Sequence, residues 1–187
     1  MVVTRAIFVT LAVWLAAAGV ARGDGAVVTL LNDATFEPTV RQAIAEARQE
    51  VVVALFLFKA DGPPANRARQ MMELLGETTA RGVRVRVILE TASEGDDDVV
   101  RANHHTAKRL RDAGVEVAFD DPQRRYHGKF VVVDGRTVFL GSHNWTDSAL
   151  RYNREVSVRI DDPSLAHQLL DYAAALAAGD TRRGVPR

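Results

Sequence analysis

The chain has 187 residues and a formal net charge of zero, with 47% hydrophobic and 26% charged residues. This composition is typical of a globular domain that can bury a core, and without an overall positive charge any polyanion must be bound by local patches. The absence of cysteine excludes disulfides, thiolate metal sites and a thiol nucleophile.

The first 23 residues have the features of a secretory signal peptide. Arg5 supplies a positive charge, residues 6–20 are uncharged, and small residues occupy positions 19, 21 and 23. We expect cleavage near residues 18–23 and export to the periplasm or the medium. The alternative is an uncleaved N-terminal anchor, since an apolar run of about 15 residues is short for a membrane span. Residues 181–187 are expected to form a flexible tail.

Residues 25–180 alternate between strand-like and helix-like patterns. Strands are predicted over residues 27–31, 50–58, 83–89, 115–119, 130–133, 137–140 and 155–160. Helices are predicted over residues 37–49, 63–81, 100–113 and 163–178. The run 50–58 is almost continuously apolar, as in a central strand covered on both faces. The alternation predicts one α/β domain, a three-layer α/β/α sandwich with a mixed, mostly parallel sheet.

The stretch 126–145, with the sequence YHGKFVVVDGRTVFLGSHNW, holds a dense group of reactive side chains. His127 and Lys129 share a face, because residues two apart on a strand point the same way. A histidine can act as nucleophile or general acid/base near neutral pH, and a lysine is a cation suited to a phosphate oxygen.

The same stretch is expected to fold as a hairpin, since Asp134-Gly135 is a strong turn signal. If Asp134 and Gly135 form the loop, Ser142 lies opposite His127. If the loop is shifted by one residue, Ser142 faces Lys129 and Asn144 faces His127. Either register gathers the reactive side chains at one end of the sheet.

The second half of the stretch adds groups that suit an anion. Asn144 is a neutral donor, and the turn at Gly141-Ser142 is expected to start a short helix whose N–H groups favour anions. A nucleophile, cations and oriented donors suit phosphoryl transfer. No metal-ligand spacing accompanies them, so we predict a phosphodiesterase that needs neither metal nor cofactor.

The pattern His127-x-Lys129-x4-Asp134-x6-Gly141-Ser142-x-Asn144 resembles the HKD motif of the phospholipase D superfamily. Downstream, Asn153-x-Glu155 resembles the trailing acidic element of that family. With its single motif, the chain is most similar to the short exported bacterial members, typified by a non-specific endonuclease.

The resemblance implies a mechanism in which His127 attacks phosphorus to give a phosphohistidine and a second histidine protonates the leaving oxygen. The other matching positions have implied supporting roles: Lys129 and Asn144 bind phosphate oxygens, Ser142 supports the phosphate or the histidine, Glu155 holds an imidazole in its working tautomer, and Asp134 and Gly141 are structural. Arg124 and Arg125 are candidate substrate-binding residues that guide a polyanionic backbone.

No second His-x-Lys occurs in the chain, so two histidines in one site require two chains related by a two-fold axis. We therefore expect a homodimer with one composite site. Adjacent His104 and His105 are expected on a solvated helix face, because neighbours on a helix point about 100° apart and rarely share one metal ion.

Three functions stay open. The first is cleavage of nucleic acid with little sequence preference. The second is a phospholipase D that releases a lipid head group, for which Leu55–Phe58 and the loop after it are a candidate apolar rim. The third is a non-catalytic module that binds phosphodiesters.

Overall fold

The computed structural model describes residues 25–92 and 97–179. The predicted signal peptide (1–23) and tail (181–187) lie outside the described residues. In the part that is described, no helix is long and apolar enough to cross a bilayer.

The described residues form seven strands and five α-helices that alternate along much of the chain. The strands are β1 (Val27–Asn32), β2 (Glu50–Leu55), β3 (Arg84–Leu89), β4 (Glu116–Phe119), β5 (Lys129–Val133), β6 (Thr137–Gly141) and β7 (Val156–Asp161). The helices are α1 (Phe36–Glu46), α2 (Arg67–Ala80), α3 (Asp98–Asp112), α4 (Asp147–Arg151) and α5 (Pro163–Ala177). A 3-10 turn, Asp33–Thr35, joins β1 to α1.

All seven strands belong to one mixed sheet in the order β1-β7-β6-β5-β2-β3-β4. The predicted single α/β domain with a mixed sheet is confirmed, but the expectation that most pairings are parallel is not met. Within the described sheet only β2–β3 and β3–β4 are parallel, and the other four pairings are antiparallel. A parallel pair needs a crossover connection, and only α2 and α3 link neighbouring strands in this way.

Helices cover both faces of the sheet, which gives the predicted three layers. On one face, α1 to α4 enclose a large apolar cluster that includes Val53, Leu55 and Phe139. On the other face, α5 packs against Val52 and Val132. The central strand β2 is therefore buried on both sides, as its apolar run predicts.

The hairpin between β5 and β6 adopts neither predicted register. Asp134 and Gly135 have φ values of 50° and 61°, as a type I′ turn requires, and the Arg136 N–H donates to the Val133 carbonyl at 3.2 Å. The ladder nevertheless pairs Val133 with Thr137, so Arg136 is one extra residue outside the ladder. This bulge shifts every pairing by one position relative to both expectations.

Two predicted element boundaries also shift. α2 begins at Arg67 rather than at residue 63, because the Asn66 side chain caps it by accepting the Arg69 N–H at 2.9 Å. β2 ends at Leu55 rather than at residue 58.

The carboxylate of Asp134 ties the hairpin turn to the start of β2. It accepts backbone N–H groups from Arg48 at 3.0 Å, Gln49 at 2.8 Å and Glu50 at 3.1 Å. Burial alone would raise the pKa of Asp134, but these three hydrogen bonds together lower it.

Replacing Asp134 with Ala should lower the free energy of unfolding by about 2–3 kcal/mol at neutral pH, because three N–H groups lose a charged acceptor. The pKa in the folded state lies below its usual value. The stabilisation is therefore complete above the pKa of the unfolded chain and is lost as the pH falls through the folded-state pKa. Denaturant unfolding across acidic pH would measure this. Asp112→Ala, on the outer face of α3, is the control; a loss as large in that variant would contradict the assignment.

Candidate active site

His127 and Lys129 stand at the start of β5, beside the end of β2, where Lys129 pairs with Leu55. The Lys129 side chain is buried, and its Nζ donates to the His127 carbonyl at 2.6 Å and lies 3.1 Å from His127 Nδ1. The Phe56 ring lies 4.4 Å from the His127 ring and 5.1 Å from Lys129 Nζ. The ammonium group and the exposed imidazole thus form one contact pair on an aromatic support.

The surroundings lower the pKa of both groups. For His127 the causes are partial burial, then the positive charges of Lys129 and Arg125. For Lys129 the cause is burial, which the carboxylate of Glu155 opposes. Glu155 therefore lies within electrostatic range of Lys129, and the lowered pKa of His127 favours the neutral form that a nucleophile requires.

Ser142 and Glu155 form the second half of the site. The Ser142 Oγ donates to Glu155 Oε2 at 2.5 Å and accepts the Val156 N–H at 3.0 Å. The Asn153 side chain donates to the other oxygen, Glu155 Oε1, at 3.1 Å. The carboxylate is therefore fixed from both sides.

Asp33 binds the backbone of Glu155. The sequence did not identify it as a site residue. Its Oδ1 accepts the Glu155 N–H at 2.9 Å, its own N–H donates to the Glu155 carbonyl at 2.9 Å, and its φ is 47°. The Glu155 N–H is the main cause that lowers the pKa of Asp33, aided by Arg154. The only sequence signal was an Asn-Asp pair after a strand, which is common in ordinary turns.

His143, between Ser142 and Asn144, has no free ring nitrogen. Its Nδ1 lies 2.7 Å from Ser157 Oγ, its Nε2 lies 3.1 Å from the Asp33 carbonyl, and its ring stacks on Phe36 at 4.2 Å. Burial lowers its pKa. A neutral ring that donates from Nε2 and accepts at Nδ1 satisfies both contacts, so His143 anchors the loop.

Gly141 is required by a close approach between strands. It pairs with Ser157 on β7, and a Cβ at this position would lie 2.2 Å from Ser157 Oγ and 2.4 Å from Ser157 Cα. By the observed register Gly141 lies across from Lys129 on β5. The missing side chain lets β6 and β7 approach each other closely at this point.

Asn144 lies in a segment that runs beside the end of β2, where the Trp145 N–H donates to the Leu57 carbonyl at 3.0 Å. Its Oδ1 is buried and receives no donor from the described residues. The short helix expected at Gly141-Ser142 begins only at Asp147, because the Thr146 side chain caps it there by accepting the Ala149 N–H. That helix end is already capped and is not an anion site of this chain.

Arg124 and Arg125 precede the motif at the surface. The Arg125 guanidinium lies 3.0 Å from Asp97 Oδ2 and 5.1 Å from the centre of the Phe56 ring. Arg125 is therefore adjacent to His127 through a shared aromatic side chain.

Two sets of residues singled out in the sequence lie elsewhere. Asp134 is at the hairpin turn, at the opposite end of β5 from His127. His104 stacks on Phe119 at 4.2 Å and lies 3.2 Å from Thr91 Oγ1. Within the described ranges, no three His, Asp or Glu side chains are grouped as a metal site would need.

Comparison with known proteins matches this geometry to a family. Residues 40–177 match the family described as "Cardiolipin synthase, PLD-like domain". A mitochondrial cardiolipin hydrolase from Homo sapiens is 31% identical over 153 residues, which is 82% of this chain and 51% of that protein. The chain spans about half the length of the curated relatives it matches.

Two solved structures share the fold. Nuc from Salmonella typhimurium, described as a phospholipase D family member, has a TM-score of 0.67 at 24% identity and covers 81% of this chain and 93% of its own. NucT from Helicobacter pylori has a TM-score of 0.63 at 19% identity and covers 82% of this chain and 97% of its own. The family match over most of the chain and the intact motif agree: this chain belongs to the phospholipase D superfamily.

Proposed function

We propose that this chain is an exported phosphodiesterase that cleaves nucleic acids through a phosphohistidine intermediate on His127. The observation that carries the proposal is the contact between the neutral, exposed imidazole of His127 and the buried ammonium group of Lys129. The first supplies the nucleophile, and the second supplies positive charge where phosphate oxygens would lie.

The reaction proceeds in two steps. A ring nitrogen of His127 attacks phosphorus as the P–O bond to the leaving group breaks, and a protonated histidine gives its proton to that oxygen. Water then attacks the phosphohistidine, passes its proton to the second histidine, and releases His127. Lys129 and Asn144 hold the phosphate oxygens, while Ser142 and Glu155 orient the site.

The second histidine comes from a second copy of the chain. His143 has both ring nitrogens engaged, and His167 Nδ1 lies 2.6 Å from the Pro163 carbonyl on α5. We therefore assign the role of proton donor to a second His127, which a two-fold axis would bring from the partner chain to the same phosphate.

An exposed apolar surface next to the site fits this second copy. We call it the β1–β7 apolar face; it consists of Val28, Leu30, Leu140 and Val156, which are between 39% and 61% exposed. Leu30 and Leu140 both pair with Val158, so their side chains lie on the face of the sheet that α5 packs against. They are exposed because α5 does not extend over this part of that face. Val156 follows Glu155 directly, so a partner on this face would adjoin the site. Clustered apolar exposure of this kind marks interfaces.

Nucleic acid suits the mouth of the site better than lipid does. Arg124 and Arg125 stand at the surface beside His127, where they would follow a phosphate backbone. Within the candidate lipid-facing rim Leu55–Phe58, Leu55 and Phe58 are fully buried, and only Phe56 and Leu57 are partly exposed. Phospholipid is the second candidate, because relatives at 31–33% identity are named cardiolipin hydrolases.

The purified protein should cleave plasmid DNA, single-stranded DNA or RNA in the presence of chelator, with activity that falls steeply as salt rises. His127→Ala should lower the rate by about 10⁴-fold or more. Vesicles of phosphatidylcholine, phosphatidylethanolamine and cardiolipin, assayed in parallel, test the second candidate. A phosphohistidine trapped by an alkaline denaturing quench excludes a binding-only module. Cleavage by His127→Ala at the wild-type rate would refute the mechanism.

The acidic limb of the kcat/KM profile should move to higher pH in Arg125→Gln. Removing a positive charge near His127 lets its pKa rise, so the neutral nucleophile forms only at higher pH. Arg125→Lys keeps the charge and is the matched control, whose limb should stay near that of the wild type. An unchanged limb in Arg125→Gln would show that this charge does not act on the nucleophile.

Leu30→Asp should convert the dimer to a monomer and remove most activity, since a charge on the β1–β7 apolar face opposes its burial. Val27→Asp is the matched control, because Val27 is as exposed as Leu30, at 61%, but points to the other face of β1. Light scattering and activity at equal protein concentration measure both. A Leu30→Asp variant that stays dimeric assigns the partner to another surface, and a fully active wild-type monomer refutes the composite site.

A further inference from the structure

Two buried carboxyl groups lie next to the site and have no part in the motif. Glu90 and Asp120 directly follow β3 and β4, and they are 1% and 4% exposed. Leu89 pairs with Phe119 in these parallel strands, and the Asp120 N–H donates to the Leu89 carbonyl at 3.2 Å. The register thus places the two acids side by side at the edge of the sheet where β5 begins.

The hydrogen bonds of this pair leave one oxygen in need of a donor. Glu90 Oε2 accepts the Tyr126 N–H at 2.5 Å, and Asp120 Oδ1 accepts the Thr91 N–H at 2.9 Å. The charge of Asp120 raises the pKa of Glu90, so the two carboxyl groups lie within electrostatic range of each other. Asp120 Oδ2 is buried and receives no N–H or O–H group from the described residues. Since such an oxygen is costly to bury, a proton between the two carboxyls completes the pair.

Glu90 contacts both residues that precede the nucleophile. Tyr126, whose N–H it accepts, is the neighbour of His127 in the chain. Its other oxygen, Oε1, lies 3.7 Å from Arg125 Nε, and the Arg125 guanidinium covers the Phe56 ring that packs on His127. The position of the imidazole therefore depends on Glu90 through the backbone and through Phe56.

We propose that Glu90 and Asp120 are positioning residues for the reaction of His127. Their shared proton holds the Arg125-Tyr126 segment in place, and loss of that proton loosens it. This inference rests on the proposed phosphodiesterase function of the same site.

Several charged groups surround the pair. Arg125 and the carboxylate of Asp97, to which it is paired, face Glu90 from the outside; Asp121 acts on Asp120 from the next position. His104 on α3 reaches Thr91, the residue bonded to Asp120.

The titration of the pair falls close to neutral pH. Burial raises the pKa of Glu90 to about 7 and that of Asp120 to about 6. Because both values lie above the usual range for carboxyls, the folded protein keeps a proton here that the unfolded chain loses near pH 4. Above about pH 7 both acids are ionised, and two buried negative charges repel each other.

The test compares kcat of wild type and Glu90→Gln across pH. The amide keeps an acceptor for the Tyr126 N–H and offers a donor to Asp120, so it copies the protonated pair and does not titrate. We expect the ratio of variant to wild-type kcat to rise by about fivefold or more from about pH 5.5 to 8.5, with KM little changed. Glu90→Leu, which lacks both groups, should lower kcat by about 10- to 100-fold at every pH. A ratio that is constant with pH overturns the proposal.

The control and an independent readout separate this inference from the proposed function. Glu116→Gln changes an exposed carboxyl at the other end of β4 and should follow the wild-type profile. In NMR spectra the chemical shift of the Tyr126 amide proton should follow the ionisation of Glu90, with a change centred near pH 7 in the wild type and no such change in Glu90→Gln. If it does not titrate in the wild type, the shared proton is refuted whatever the substrate. If it titrates while no phosphodiester is cleaved, the proposed function fails and the proton-sharing pair stands.

Discussion

An ammonium group buried beside an imidazole is the constraint on which the rest of the site depends. Taking the Lys129 charge out of water is costly, and the structure offsets this with the His127 carbonyl, the Phe56 ring and the nearby Glu155 carboxylate. Each of these partners must itself be held in place. The hydrogen bonds of Ser142, Asn153 and Asp33 to Glu155 follow from that requirement.

Much of the fold could be predicted because its signals are local. Apolar periodicity located all seven strands and four of the five helices, and the left-handed Gly82 and Gly114 mark the helix ends as expected. Pairing was harder. The bulge at Arg136 depends on how the hairpin meets β2 and β7, so the two-residue turn was recognised while the register was missed by one. The excess of antiparallel pairs likewise depends on how the strands are connected along the chain, which the apolar pattern of each strand does not show.

The motif residues were visible in the sequence because their spacing is specific, whereas their supports were not. Asp33, Phe56 and Glu90 come from three separate segments and become neighbours of the motif only in the folded sheet. Each has an ordinary local context: an Asp after a strand, a Phe in an apolar run, a Glu at a strand end. Their importance lies in contacts across 36 to 122 positions of sequence, and no single-sequence pattern records such contacts.

The Asp134 anchor also has a consequence for how the molecule is made. The acceptor of the three N–H groups at the start of β2 lies 84 to 86 residues later in the chain. The strand β7, which pairs with β1, lies even farther from it in sequence. A nascent chain that has completed only β2, β3 and β4 has neither the anchor nor the motif. Contacts between residues so far apart in the chain form late and cooperatively. Catalytic activity should therefore appear only when the last strands have folded. A truncated chain should be inactive rather than partly active.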